Sequence, residues 1–282
     1  MLSITWPVFF AVVFAALLHA SWNAMVKSSS EKGMDMALIH LAGSIIAIPL
    51  VLWVGLPPAQ SWPYLAASLV IHVAYYITLT GAYTHGDLGL TYPLMRGSAP
   101  LLVAVSGTVF LSEHLSMVAW LGVLAISCGV LLLGLSKDAL HSPKAIQFAL
   151  FNAVIIAIYT VVDGLGVRAS GNALQYIFLL FLIDGWPFAF LMWYRRRGQM
   201  VQYAKQRWPI SVVGSVASLS SYGIALWAMT QAPMATVAAL RETSVLFAAL
   251  IGFWLLKEKF THQRLLGTFT IMAGMVAVRL AK

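Results

Sequence analysis

The chain has 282 residues, of which 61% are hydrophobic and only 9% are Asp, Glu, Lys or Arg, and its mean hydropathy is +0.86. A water-soluble domain carries roughly 25% charged residues, so an ordinary soluble fold is excluded. The net charge of +8 is spread between apolar segments, where it suits lipid headgroups rather than a nucleic-acid surface, and the single cysteine, Cys128, excludes an intramolecular disulfide.

A bilayer-crossing helix needs about 20 mostly apolar residues. Such spans are predicted at 6–26, 34–55, 63–84, 88–111, 117–135, 145–167, 172–194, 209–230, 234–256 and 261–279. No Lys or Arg precedes the first segment, which is therefore read as a span and not as a cleaved leader. It carries His19 and Asn23 at i, i+4. The third span carries His72, Tyr76, Thr80 and Tyr83 on one face, and the fourth places Tyr92 four residues before Arg96, with Pro93 and Pro100 flanking the arginine. Both prolines remove a backbone donor, which predicts a kink there. Glu113 ends the fourth span. Gly122, Ala125 and Gly129 form a small-residue stripe on the fifth, read as packing or a dimer seam.

In the second half, Asn152, Tyr159 and Asp163 lie at i, i+7 and i+11 of the sixth span, and Asp184 falls near the middle of the seventh. Arg241 and Glu242 are adjacent in the ninth, about 100° apart around a helix, so one is expected at a cavity and the other against a neighbour. Gly267, Thr270 and Gly274 give the tenth span a stripe like that of the fifth. Trp6, Trp53, Trp62, Tyr64, Trp120, Trp193, Tyr194, Trp208 and Trp254 cluster near span ends, as amphipathic rings at headgroup depth do.

A shift of 145 superposes residues 88–135 on the later part of the chain without a gap. It matches Thr91 with Thr236, Arg96 with Arg241, Gly107 with Gly252, Glu113 with Glu258, Gly122 with Gly267 and Gly129 with Gly274. The chain thus reads as a duplication, with repeats at 1–140 and 141–282. Five spans per repeat, an odd number, force the second copy upside down relative to the first. The predicted fold is all-α and integral to the membrane: ten transmembrane helices as two five-helix inverted repeats around a central cavity. Twelve Lys and Arg lie in the connectors after spans 1, 5, 7 and 9, against Arg168, Arg279 and Lys282 on the other side. The positive-inside rule then places both termini outside the cytoplasm.

The stretch Tyr92-Pro93-Leu94-Met95-Arg96-Gly97-Ser98-Ala99-Pro100, the stretch Arg241-Glu242-Thr243-Ser244, and the following glycine, five residues and glutamate (Gly107 to Glu113, Gly252 to Glu258) resemble the drug/metabolite transporter superfamily, EamA type. The resemblance covers essentially the whole chain. It implies a secondary carrier in the bacterial inner membrane, with a cavity lined by spans 1–4 and 6–9 and spans 5 and 10 peripheral. It also implies cytoplasmic termini, against the Lys/Arg count.

An ionisable group within a span costs at least about 2.5–3.5 kcal/mol, so each one invites a role. Arg96 and Arg241 would draw a carboxylate or phosphate into a planar fork of donors; the plainer reading ties each to backbone carbonyls or to one interface. Tyr76, Tyr92, Tyr159, Asn23, Asn152 and His72 are candidate solute-binding residues, or else interhelical glue. Asp184, Glu242 and Asp163 are candidates for proton coupling or for ion pairs with the arginines, Asp184 above all with Arg96 or Arg241. Glu113 and Glu258 read as solvated helix-end charges.

No phosphate loop and no His-Glu-x-x-His helix is present. The expectation is therefore a non-enzyme, without metal or cofactor, driven by a proton or solute gradient, working as a monomer or homodimer. Its cargo would be a small amphipathic metabolite, such as an amino acid, exported across the membrane. A multidrug or organic-cation proton antiporter is the alternative within transport. From other classes, a structural membrane subunit, or one holding a haem between His19 and His40, also remains.

Overall fold

A computed structural model, describing residues 4–27, 29, 31–85, 88–134, 142–256 and 261–281, is all-helical among those residues. Lys137, Lys257, Glu258, Lys259 and Lys282, and the side chains of Thr80 and Tyr83, lie outside what it describes. The helices are α1 (Trp6–Lys27), α2 (Lys32–Val54), α3 (Trp62–His85), α4 (Leu88–Phe110), α5 (Met117–Gly134), α6 (Pro143–Ser170), α7 (Ala173–Arg195), α8 (Met200–Met229), α9 (Met234–Arg241), α10 (Ser244–Leu256) and α11 (His262–Leu280). Among the described residues, eight segments are long and apolar enough to cross a membrane: α1, α2, the start of α3, α5, α6, α7, α8, and Met234–Ile251.

Burial is inverted relative to a soluble protein. Leu52 and Phe110 are 80% and 78% exposed, and Trp53, Val70, Met117 and Phe190 stand out almost as far. The interior meanwhile holds Asp35, Ser44, Arg96, Asn152, Asp163, Arg241 and Glu242. Large apolar side chains turned outward and polar groups turned inward are stable only where the surrounding solvent is hydrocarbon.

Local chemistry sets several helix ends. Ser142 caps α6 by accepting from the Ala145 N–H, with Pro143 as the first helical residue, and Gly171 closes the helix at φ +66. Asn172 caps α7 through Leu174, and Thr261 caps α11 through Arg264.

Small residues decide which helices meet. The predicted glycine stripes of α5 and α11 pack on each other within the chain, which places them in an intrachain seam. A methyl on Gly122 would stand 3.0 Å from the Gly274 carbonyl oxygen, and one on Gly129 2.8 Å from that of Gly267. Low numbers face high ones, so the two helices are antiparallel. The same holds for α2 and α7, where Gly33 meets Met192 and Gly43 meets Phe181. Elsewhere α3 packs along α6, α1 along α8, and α4 is wedged among α5, α6 and α9. Cys128 stands exposed on α5, away from the seam.

One continuous span was expected at 234–256. The chain instead breaks after Arg241, and α10 starts at Ser244. No proline or glycine sits there. The Glu242 and Thr243 N–H groups turn back to Ala239 and Leu240, while the Thr243 hydroxyl donates to Leu240 O at 2.7 Å. Short polar side chains that bond nearby carbonyls compete in this way with the regular helical ladder. The helix α4 is one element through Pro93 and Pro100.

Candidate functional site

Five helices bring the buried charges and their partners together. From α4, Arg96 places its Nε 2.7 Å from Glu242 Oε2, with both side chains under one-tenth exposed. The N–H is not aimed at that oxygen, so the contact is an ion pair by distance rather than an aligned hydrogen bond. Arg241, at the end of α9, lays its guanidinium 5.0 Å from the centroid of the Tyr222 ring on α8. The Tyr222 hydroxyl donates to Asp163 Oδ2 at 2.5 Å, and the Tyr176 hydroxyl donates to Asp163 Oδ1 at 3.0 Å. Asp163 is completely buried and thus held by two phenols.

Arg241 and Glu242 border the same small cavity, together with Ala99, Pro100, Val103, Ile156, Thr160 and Ala238. Both residues line the cavity, and Glu242 also reaches Arg96 on the neighbouring α4. The cavity has room for about one water molecule. An amino-acid-sized solute enters only if helices move.

The remaining candidates are spread around this cluster. Asn152 is completely buried and bridges two helices: its Oδ1 accepts from Thr78 at 2.7 Å, and its Nδ2 lies 2.7 Å from Met95 Sδ. Asn23 donates to the His19 carbonyl of its own helix. Tyr92 is half-buried against the main apolar core. Asp184 does not meet either arginine. It lies between His40 Nδ1 at 3.7 Å and His72 Nδ1 at 4.0 Å. His72 stacks on Tyr159 at 4.7 Å, and Tyr76 stacks on Phe188 at 4.8 Å. Trp22 stands edge-on to both His19 and His40.

Tyr222 escaped the sequence reading although a signal was present. Ser211, Ser215, Ser218 and Tyr222 lie at i, i+4, i+7 and i+11, a polar stripe down α8. Glu113 was misread as solvated. It is mostly buried: its Oε1 lies 2.7 Å from Arg168 Nη1, and its Oε2 accepts from the Met234 N–H at 3.0 Å, at the start of α9. Arg168 in turn donates to Met229 O and Ala232 O.

The Gly107-to-Glu113 spacing follows from this clasp. The Glu113 N–H returns to Gly107 O, Ser112 adopts φ +53, and a methyl on Gly107 would stand 3.2 Å from Glu113 Oε2. The glycine leaves room for the carboxylate to fold back. Glu113→Gln, which weakens both contacts, should lower stability by about 1–3 kcal/mol, measured by thermal melting in detergent; an unchanged melt would mean the clasp is idle.

The profile of the EamA-like transporter family matches residues 143–280. Over 76 residues the chain is 37% identical to a Sinorhizobium sp protein described as an uncharacterized transporter in the cobO 3' region, an overlap of 27% of this chain and 53% of that one. The match therefore spans about half the length of that relative. A protein of known crystal structure superposes with a TM-score of 0.75 over 97% of this chain and 96% of its own, at 15% identity, a likeness of fold alone. With apolar segments long enough to cross a bilayer many times over, this is a multi-pass integral membrane protein. Its second half, residues 143–280, is an EamA-like transporter domain.

Proposed function

We propose that the protein is a gradient-driven carrier that exports a small amphipathic metabolite bearing an anionic group, such as an amino acid, with Arg241 as its principal contact. The single observation carrying this reading is the inequality of the two buried arginines. Arg96 has Glu242 as a counter-charge. Among the described residues no carboxylate lies within 4.0 Å of Arg241, whose side chain borders the cavity. A buried guanidinium without an anion is costly, and a solute carboxylate supplies what it lacks.

The architecture behind this reading is ten spans in two inverted repeats, 1–140 and 141–282, with α9 and α10 together forming the ninth span. The antiparallel course of α5 with α11 and of α2 with α7 supports it, since each pair joins equivalent positions of the two repeats. So does the exchange of packing partners, in which α3 along α6 is mirrored by α8 along α1. The protein would sit in a bacterial inner membrane, with the Lys/Arg-rich connectors facing the cytoplasm.

One observation favours a second reading, an organic-cation antiporter: Asp184 lies beside the stacked rings of Tyr76 and Phe188, with Oδ1 buried and unbonded. A thermal-shift screen of amino acids against organic cations separates the two. Under the first reading, an amino acid raises the melting temperature with concentration, and Arg241→Ala weakens that ligand at least tenfold, about 1.4 kcal/mol. Stabilisation by cations alone, or an amino-acid response unaltered in R241A, would sink it.

A further inference from the structure

We infer that Asp184, held between His40 and His72, binds an exchangeable proton and is the coupling site of the carrier. Its coupling to a solute rests on the function proposed above; the binding of the proton does not.

The geometry points to a buried carboxylate without a fixed counter-charge. Asp184 Oδ1 is buried and has no hydrogen-bond partner, although His72 Nδ1 is 4.0 Å away and His40 Nδ1 lies 3.7 Å from the other oxygen. Both separations are too long for a hydrogen bond. His72 Nδ1 is held instead by Ser68 of its own helix, 2.9 Å from the carbonyl oxygen and 3.1 Å from the hydroxyl. The Asp184 carboxylate thus stands in a low-dielectric interior beside two imidazoles, neither of which satisfies it. A proton bound here removes a buried negative charge that no fixed cation offsets.

The groups facing it are few. Helix α2 brings His40; α3 brings His72, Tyr75 and Tyr76; α6 brings Tyr159 and Asp163; and α8 brings Tyr222, whose ring meets Phe181 one turn before Asp184. No lysine or arginine pairs with Asp184 among the described residues. The site therefore lacks a permanent cation that would lock the carboxylate in its charged form. Histidine and aspartate in contact within a membrane interior form a unit able to take up and release one proton.

The same cluster reaches the arginine site through ring contacts. Asp184 neighbours His72, His72 stacks on Tyr159 at 4.7 Å, Tyr159 meets Tyr222 at 6.3 Å edge-on, and Tyr222 lies under Arg241 at 5.0 Å. A shift of His72 on proton uptake is passed by contact to the ring that shares the Arg241 charge.

The test uses the whole protein in liposomes on a solid-supported membrane, with no solute added. A pH jump should evoke a transient current in the wild type, at least tenfold smaller in Asp184→Asn (about a tenth or less, as for loss of the binding group). Glu31→Gln, at an exposed helix end, should leave the current unchanged. The double variant His40→Gln/His72→Gln keeps the carboxylate and should move the pH of half-maximal current.

A D184N current like that of the wild type, or an unmoved midpoint in the double variant, would overturn the assignment. Should D184N fail to fold, dicyclohexylcarbodiimide supplies a readout on wild-type protein: it adds to protonated carboxyl groups in apolar surroundings, and mass spectrometry should find it on Asp184 in amounts that rise as pH falls. Asp184 left unlabelled at every pH would equally overturn the proposal. Neither readout involves a solute, so failure here leaves the Arg241 reading standing, and failure of that reading leaves this one.

Discussion

Glu242→Ala should destabilise the protein by about 3–5 kcal/mol, because it strands the Arg96 guanidinium as an uncompensated charge in the interior. Both partners are almost fully buried, so water cannot take over the role of the lost carboxylate. The cost should arise from the orphaned cation and not from a lost attraction, and a second variant separates the two. Replacing both residues, Arg96→Met with Glu242→Leu, removes the charge along with its partner, and buried pairs exchanged for apolar residues of similar size are commonly neutral or stabilising. The double variant should therefore melt near the wild type while the single one melts well below it. Equal losses in single and double variants would show that the pair is not the source. Because Arg241 is untouched in the double variant, its response to amino acids would also report how far Arg96 shares in binding.

The second large effect is expected at Gly185. A methyl there would stand 2.7 Å from the His40 carbonyl carbon and would collide with the His40 oxygen and the Ser44 hydroxyl. Backbone cannot retreat as a flexible side chain does, so Gly185→Ala must push α2 and α7 apart. Overpacking of this kind costs about 1–3 kcal/mol or more. Gly198→Ala is the control, since a methyl there meets nothing within 4 Å; its effect should stay within about 0.5 kcal/mol. Gly185 follows Asp184 directly, and the close approach it permits is what carries His40 to the carboxylate. G185A should therefore also alter the pH-jump current, whereas a melt and a current both like the wild type would show that the helices separate without strain.

How much of this was legible beforehand differs by feature. The apolar runs were plain, because hydrocarbon demands long uninterrupted segments, and most helices follow them within a few residues. However, α8 already begins at Met200, ahead of the span predicted from 209, and the span at 234–256 is split in two. The pairing of α5 with α11 was half legible. Gly122, Gly129, Gly267 and Gly274 announced a close helix contact, yet spacing along one helix does not name its partner, and a dimer seam was still open. Arg96, Arg241, Asp163, Asp184 and Glu242 stood out as ionisable groups in apolar runs, but their partners did not. The link from Arg96 to Glu242 depends on a chain break at Thr243 that involves neither proline nor glycine. Glu113 was misjudged for the same reason. Whether a helix-end carboxylate meets water or the first N–H of another helix is decided by tertiary packing, here the arrival of Met234 and Arg168.

Cys128 gives the molecule a ready handle. It is the single thiol of the chain, and it points outward from α5 while the glycines of that helix face α11. A maleimide dye coupled in detergent, under conditions where water reaches the thiol and the thiolate can form, would sit at one lipid-facing position without any engineering and without disturbing the polar interior. Labelled copies brought side by side in a vesicle would quench one another, so the unaltered protein carries its own gauge of self-association.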